Sequence, residues 1–227
     1  MFKNLVERYN GACFALAKKN GGNSISFIGS CFLSHESGLF ITCSHLVSPL
    51  DELCVLAPMD ANSFTPITIK GSVNIIDVKL CAMNTDADLA ILKSTIDIKA
   101  QVPAGMLLTD SPNTGASCMY IGYPYGDVGL HNPKYSASIL SGKVIIDDIN
   151  YYLIDSLAHE GNSGGPLIDY QTGRICGVIN GHFNPTGGGA VIQLGNRTLG
   201  TDSTITKAVS IEYAIVLIAE VLSQHGK

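Results

Sequence analysis

Nowhere does this chain gather the roughly 18–20 consecutive apolar residues that a bilayer-crossing helix needs. The nearest stretch, residues 211–222, is short and interrupted by Glu212 and Glu220, so it reads as a buried or half-buried terminal helix. A basic excess is also lacking: 14 Lys and Arg stand against 19 Asp and Glu, for a net charge of −5. No charge run collects in one tail. A partner held by its phosphate backbone, and so nucleic acid, is excluded on that balance. There is no CxxC pair and no Cys/His cluster at zinc spacing. The start, MFKNLVERYN, lacks the continuous apolar core of a secretory signal. The chain is therefore expected to be cytoplasmic. Its seven cysteines (13, 31, 43, 54, 81, 118 and 176) are odd in number and dispersed through apolar runs such as FIGSCFL and RICGVI, which suits reduced, buried thiols. The one glycosylation sequon, Asn196-Arg197-Thr198, has no meaning in such a setting.

What is present is a pattern of short apolar or alternating runs cut by Gly, Asn, Asp, Ser and Pro. The spacing predicts strands at 13–17, 26–33, 39–43, 53–56, 75–82, 89–92, 118–121, 136–144, 152–154, 166–168 and 175–179. Asn20-Gly21-Gly22-Asn23 sits between the first two as a hairpin turn, because Gly and Asn tolerate positive φ. Many short strands argue for an all-β sandwich or barrel rather than βαβ units. An irregular stretch at 94–115 divides the chain into halves of similar length, expected at 1–100 and 101–227. A second, at 184–204, carries Gly187-Gly188-Gly189 and reads as a long surface loop. Ser210 is placed to cap a final helix, with Ile211, Ala214, Ile215, Ile218, Val221 and Leu222 at helical spacing. No internal repeat is evident.

Three segments carry chemistry. The first is Gly161-Asn162-Ser163-Gly164-Gly165-Pro166-Leu167. A serine hydroxyl becomes a nucleophile only when a base takes its proton, and acyl transfer needs N–H donors aimed at the developing oxyanion. A serine in a tight turn two residues after a glycine supplies both parts, with the N–H groups of Gly161 and Ser163 pointing into one hole. Ile41-Thr42-Cys43-Ser44-His45 ends a strand in a histidine, the candidate general base. Asp86-Ala87-Asp88-Leu89-Ala90-Ile91-Leu92 opens a buried strand with an acidic residue that can hold the other ring nitrogen. Two aspartates compete there.

The string GNSGGPL resembles the nucleophile motif of chymotrypsin-fold serine peptidases, and TCSH resembles their Thr-Ala-Ala-His segment. Their Asp-Leu/Ile-Ala pattern selects Asp88 over Asp86. The chain order His, Asp, Ser is theirs too. The resemblance is closest to the HtrA/Deg group and covers residues 13–222, including Ile28-Gly29-Ser30-Cys31-Phe32, Ile121-Gly122-Tyr123-Pro124-Tyr125-Gly126 and Ala208-Val209-Ser210-Ile211. It implies two six-stranded antiparallel Greek-key barrels with the active site between them, a triad of His45, Asp88 and Ser163, and neither cofactor nor metal. It also implies a specificity pocket walled by Leu157, Ala158 and His159 and by Ile179, Asn180, Gly181 and His182, with Gly187–Gly189 as a further candidate wall. Leu157 stands where an aspartate would favour Lys or Arg, so a small or apolar P1 side chain is expected; a histidine at 182 would instead favour a polar one. Asn162 replaces the aspartate that digestive proteases pair with a newly cut N-terminus. With Lys227 taken as the last residue, no PDZ domain is expected, and with it neither the peptide sensing nor the cage assembly typical of HtrA members. In many relatives a partner orders the oxyanion loop, which here would be 156–160, so a regulatory protein or an oligomer is an expected partner beside the polypeptide substrate. No membrane partner is expected.

Three functions compete on this reading: a serine endopeptidase, a binding or scaffold module on the same fold without turnover, and an esterase. The intact set of triad residues and oxyanion glycines favours the endopeptidase.

Overall fold

Strands of the first half read as nearly continuous apolar runs because both of their faces are covered. In the computed structural model, which describes residues 2–22, 24–64, 66, 74–98, 102, 106–107, 110–126, 131–182, 192–194, 197–199 and 205–225, a short helix α1 (Phe2–Arg8) leads into six strands. These are β1 (Cys13–Asn20), β2 (Ser24–His35), β3 (Leu39–Thr42), β4 (Leu53–Leu56), β5 (Ile75–Asn84) and β6 (Leu89–Ser94). They close into an antiparallel barrel in the order β1-β2-β3-β6-β5-β4. Alternate side chains from all six, among them Phe14, Leu16, Cys31, Phe40, Val55, Val78 and Leu92, fill it. Their neighbours in sequence, Leu39 and Ile41 on β3 and Leu89 and Ile91 on β6, face a second core that lies outside the barrel. The period of two is intact, but both faces are apolar and the sequence shows no alternation.

The second half repeats the plan. β7 (Ser117–Gly122), β8 (Lys134–Ile146), β9 (Ile149–Asp155), β10 (Pro166–Asp169), β11 (Ile175–His182) and, after the pair β12 (Ile192–Leu194) and β13 (Arg197–Leu199), β14 (Ile205–Ser210) form the elements. The ring runs β10-β11-β14-β9-β8-β7 and closes, the same order as in the first barrel when β14 is counted as its sixth strand. β12 and β13 pair with each other inside a segment expected to be loop. On β7, Cys118 and Tyr120 enter the barrel while Met119 and Ile121 join the shared core. The β8–β9 hairpin turns at Asp147 and Asp148, whose φ values of 50° and 63° are those of a tight primed turn; Asp tolerates this conformation. No glycine announces that turn in the sequence.

Helix α2 (Glu212–His225) buries Ala214, Leu217, Ile218 and Val221, with Ile211 buried just before it, and returns to lie on β5 and β6 of the first barrel. The N-terminal stretch forms α1, whose Leu5 is buried. Tyr9 beyond it donates its hydroxyl to the Gly173 carbonyl at 2.8 Å, so an element preceding the first barrel is tied to the second. All seven cysteines are unpaired, and only Cys81 is not fully buried.

Phe40 is fully buried and meets Phe14 edge-on at 5.0 Å between centroids. Phe40→Ala should cost about 3–5 kcal/mol. For a chain of this size that lowers the thermal midpoint by about 10 °C, measurable by circular dichroism.

Candidate active site

His45 and Asp88 are 43 residues apart and meet because β3 and β6 are antiparallel neighbours, with Thr42 opposite Ala90. His45 occupies a single helical turn directly after β3, and Asp88 immediately precedes β6. Asp88 sits at φ 51°, a left-handed conformation that aspartate tolerates. The turn is held by Ala87 N–H donating to Asn84 Oδ1 at 2.9 Å and by Ser44 N–H donating to the Asp88 carbonyl at 3.2 Å. The carboxylate is aimed inward as a result. Asp86, by contrast, is exposed and has no hydrogen bond to His45.

Four donors surround the Asp88 carboxylate. Oδ1 accepts from the Ser44 hydroxyl and from the His45 N–H, each at 2.8 Å. Oδ2 accepts from His45 Nδ1 at 2.6 Å and from Asn180 Nδ2. Burial alone would push the Asp88 pKa up; the bonds from the His45 ring, the Ser44 hydroxyl and the His45 amide outweigh it and hold the group below the ordinary carboxylate value. An ionised carboxylate only accepts, so Nδ1 must carry the proton, leaving His45 Nε2 unprotonated in the neutral ring.

Ser163 lies in a turn in which almost every bond is spoken for. Asn162 N–H donates to the His159 carbonyl at 3.1 Å, Gly164 N–H to Ile179 at 2.8 Å, and Gly165 N–H to Asn162 at 3.0 Å. The N–H groups of Gly161 and Ser163 have no acceptor among the described residues. Gly161, at φ 91°, could not bear a side chain, because a Cβ would collide with the Tyr123 carbonyl. Gly164, at φ 86°, would drive a Cβ into the Ser30 carbonyl and the Thr42 hydroxyl. Ser30, on β2, joins the barrels here: its N–H donates to the Ser163 carbonyl at 2.9 Å, its hydroxyl donates to the Gly161 carbonyl at 2.6 Å, and it accepts from Tyr123 N–H at 2.9 Å.

His45, Gly161 and Ser163 line one open cleft of about 300 Å³ with Phe27, Leu46, Tyr123 and Glu160. No hydrogen bond joins the His45 ring to the Ser163 hydroxyl in this resting arrangement. Such bonds are often long before substrate binds.

The expected pocket walls fare differently. Leu157 is 38% exposed. Ala158 is buried, its N–H donating to Thr206 Oγ1 at 2.9 Å. His159 turns away to Tyr125, whose hydroxyl lies 2.7 Å from its Nδ1. The Ile179 side chain fills the second barrel. Asn180 is 8% exposed and spends its amide on Asp88. Gly181 is half-buried with open space where a Cβ would stand. The His182 side chain and Gly187–Gly189 fall outside the described residues. Sequence reasoning did not assign Ser30 and Asn180 to the positioning of the nucleophile turn and the carboxylate; no local pattern marks them.

Cys43, His45 and Asp88 also bring three ligand-type atoms within 4.8 Å of one another. Their chemistry does not fit a metal: Asp88 already accepts four hydrogen bonds. The Cys43 thiol donates to the Ile179 carbonyl at 3.2 Å, and burial, with the Asp88 charge adding to it, holds that thiol protonated well above its ordinary range.

The family model for the trypsin-like peptidase domain matches residues 29–178. A probable periplasmic serine endoprotease, DegP-like, from Rhizobium meliloti is 30% identical over 167 residues, covering 70% of this chain and 29% of the relative. The chloroplastic protease Do-like 5 of Arabidopsis thaliana is 27% identical over 190 residues, covering 76% and 53%. The chain thus spans under a third of the first relative and about half of the second. Among solved structures, the serine endoprotease from Yersinia pestis superposes with a TM-score of 0.70 at 20% identity over 98% of this chain and 67% of that one. The active form of a protease from M. tuberculosis gives 0.69 at 16%, over 96% and 83%. These two speak to the fold alone. The expectation of a cytoplasmic chain is corrected by the relatives, which are named periplasmic in Rhizobium, Brucella and Rickettsia. Its two supports were weak: a chain's first residues need not be those of the gene product, and buried thiols persist unpaired wherever geometry keeps them apart.

Two outcomes follow from the charges. The stability that Asp88 contributes is complete above its unfolded pKa of roughly 4 and disappears as pH falls through the lower folded value. Asp88→Asn should therefore flatten the acid limb of a midpoint-against-pH curve below about pH 4. Asn162 is 1% exposed, with both side-chain polar atoms unpartnered among the described residues. Asn162→Asp should cost about 3–5 kcal/mol at neutral pH. The penalty should shrink towards pH 4, where the acid is protonated; thermal melts at both pH values check it.

Proposed function

From the premise that this chain belongs to the trypsin-like peptidase family, we propose that it is a serine endopeptidase working through an acyl-enzyme on Ser163. His45 is the base and Asp88 its orienting partner. The observation that carries the reading is the combination, around one cleft, of a His45–Asp88 pair fixed by four donors with a serine flanked by two unengaged main-chain N–H groups.

His45 Nε2 takes the proton from the Ser163 hydroxyl as Oγ adds to the substrate carbonyl. The carbonyl oxygen becomes an oxyanion and accepts from Gly161 N–H and Ser163 N–H. Both donors are held in place before reaction, so no reorganisation is needed when the charge appears. Collapse breaks the C–N bond, and the imidazolium gives its proton to the departing amine. Water then repeats the sequence with His45 as base, freeing the acid and Ser163. Asp88 stays ionised throughout; a carboxylate with its pKa already lowered stabilises the imidazolium without taking its proton. We further read the half-exposed Leu157, with the small Ala158 beside it, as favouring a small or apolar P1 side chain. The two barrels act as one catalytic unit, the first supplying the base and the second the nucleophile.

A fluorophosphonate probe should label the wild-type chain at Ser163, and Ser163→Ala should abolish labelling. Asp88→Asn should lower kcat by about 10⁴. A folded wild-type chain that takes no label and cleaves no peptide in an unbiased library would instead be a binding module on a peptidase fold.

A further inference from the structure

The Glu160–Gly161 peptide decides whether the oxyanion hole exists. Its carbonyl accepts from Tyr125 N–H at 3.0 Å. Because a trans peptide is planar, its N–H points the opposite way, away from the 123–126 turn. Rotating this one peptide by about half a turn would present a carbonyl where an oxyanion needs a donor. A single backbone hydrogen bond at a half-exposed turn is worth only about a tenfold preference, too little by itself to keep the hole formed.

Tyr125 supplies a second hold. It sits at φ 58°, unusual for an aromatic residue, and is 41% exposed, so core burial does not account for its conformation. Its hydroxyl lies 2.7 Å from His159 Nδ1, and the two rings lie 4.9 Å apart, tilted by 33°. The same residue thus grips the loop twice, by its amide at Glu160 and by its side chain at His159. On the far side Gly161 is held through Ser30, whose hydroxyl donates to its carbonyl.

We propose that Tyr125 and His159 form a clasp that keeps the Glu160–Gly161 peptide turned towards catalysis, making them positioning residues for the oxyanion hole and giving this chain a hole set without a partner. This rests on the serine peptidase reading above, and it takes His159 out of the specificity pocket.

The test is steady-state kinetics on the purified chain with Tyr125→Phe, His159→Ala, His159→Asn and the double variant Tyr125→Phe/His159→Ala, alongside inhibition by a peptide boronate that mimics the tetrahedral oxyanion. Loss of a complete oxyanion donor costs about 10²–10³ in kcat. Loosening one should cost about tenfold, with KM within about twofold, because the hole acts in the transition state. The boronate inhibition constant should rise by the same factor. His159→Asn keeps a polar atom near the Nδ1 position and should recover most of the activity. The double variant should be no worse than the weaker single variant, the two groups forming one device. Thermal midpoints identify variants that fail to fold, and Tyr125→Phe, which keeps ring and backbone, carries the test if His159→Ala is one of them. Unchanged kcat in Tyr125→Phe, a change confined to KM, or effects that multiply in the double variant would overturn the clasp. A wild-type chain that neither labels nor cleaves fails the peptidase reading itself, whereas an active wild type with indifferent variants fails only the clasp.

Discussion

Ser30 is fully buried; its amide and hydroxyl are used on the seam between the two barrels, and its carbonyl within the first. Its amide holds the Ser163 carbonyl, its hydroxyl bridges the Gly161 carbonyl and the Tyr123 amide, and its carbonyl accepts from the Thr42 hydroxyl at 2.8 Å. A hydroxyl suits this position because it donates and accepts at once. The approach is allowed only because Gly164 has no side chain to meet the Ser30 carbonyl. Buried polar networks of this kind are costly when incomplete and rigid when complete. The cleft inherits its geometry from this one: β2 of the first barrel fixes the nucleophile turn of the second.

The carboxylate is tied across the same seam in the other direction. Asn180 reaches from β11 to Asp88, and the Cys43 thiol reaches from the end of β3 to the Ile179 carbonyl. Neither barrel completes its own part of the site. Asp88 gains a donor from the second barrel, and Ser163 is anchored by one from the first. Of the His45–Asp88 pair, the half-exposed His45 ring is the member that opens on the cleft, beside Ser163. The site is complete only where the barrels meet, and Tyr9 beyond α1 and helix α2, each reaching towards the opposite half, add to that contact.

Local chemistry was legible where it is local. The glycines around Ser163, the histidine in the turn beyond β3 and the aspartate just before β6 are local features, each set by turns a few residues long. The turn at Gly21-Gly22 and the terminal helix were readable for the same reason. What escaped were the relations between distant residues. Asn180 meets a partner 92 residues away and Ser30 one 131 away; no spacing rule reaches that far, and the sequence offers Asn180 only as an expected pocket wall. The shared strand order of the two barrels was hidden because topology repeats without the side chains repeating. Helix α1 was not expected: Phe2, Leu5 and Val6 lie at helical spacing, but seven residues are too few for the period to stand out.

Backbone strain separates the structural turns from the functional ones. Four non-glycine residues among those described take positive φ: Asp88, Tyr125, Asp147 and Asp148. The last two are explained by the hairpin they close, since a two-residue turn between twisted strands demands that conformation. Neither Asp88 nor Tyr125 closes a hairpin of this kind. Asp88 turns a carboxylate against the base, and Tyr125 turns an amide and a ring against the oxyanion loop. Strain persists only where surrounding contacts over-determine it. Around Asp88 those contacts are the four donors. Around Tyr125 they are the Glu160 carbonyl and the His159 ring, both of which belong to the loop that must be held. Asp88 and Tyr125 are therefore held in the same way, each in an uncommon backbone conformation fixed by its contacts.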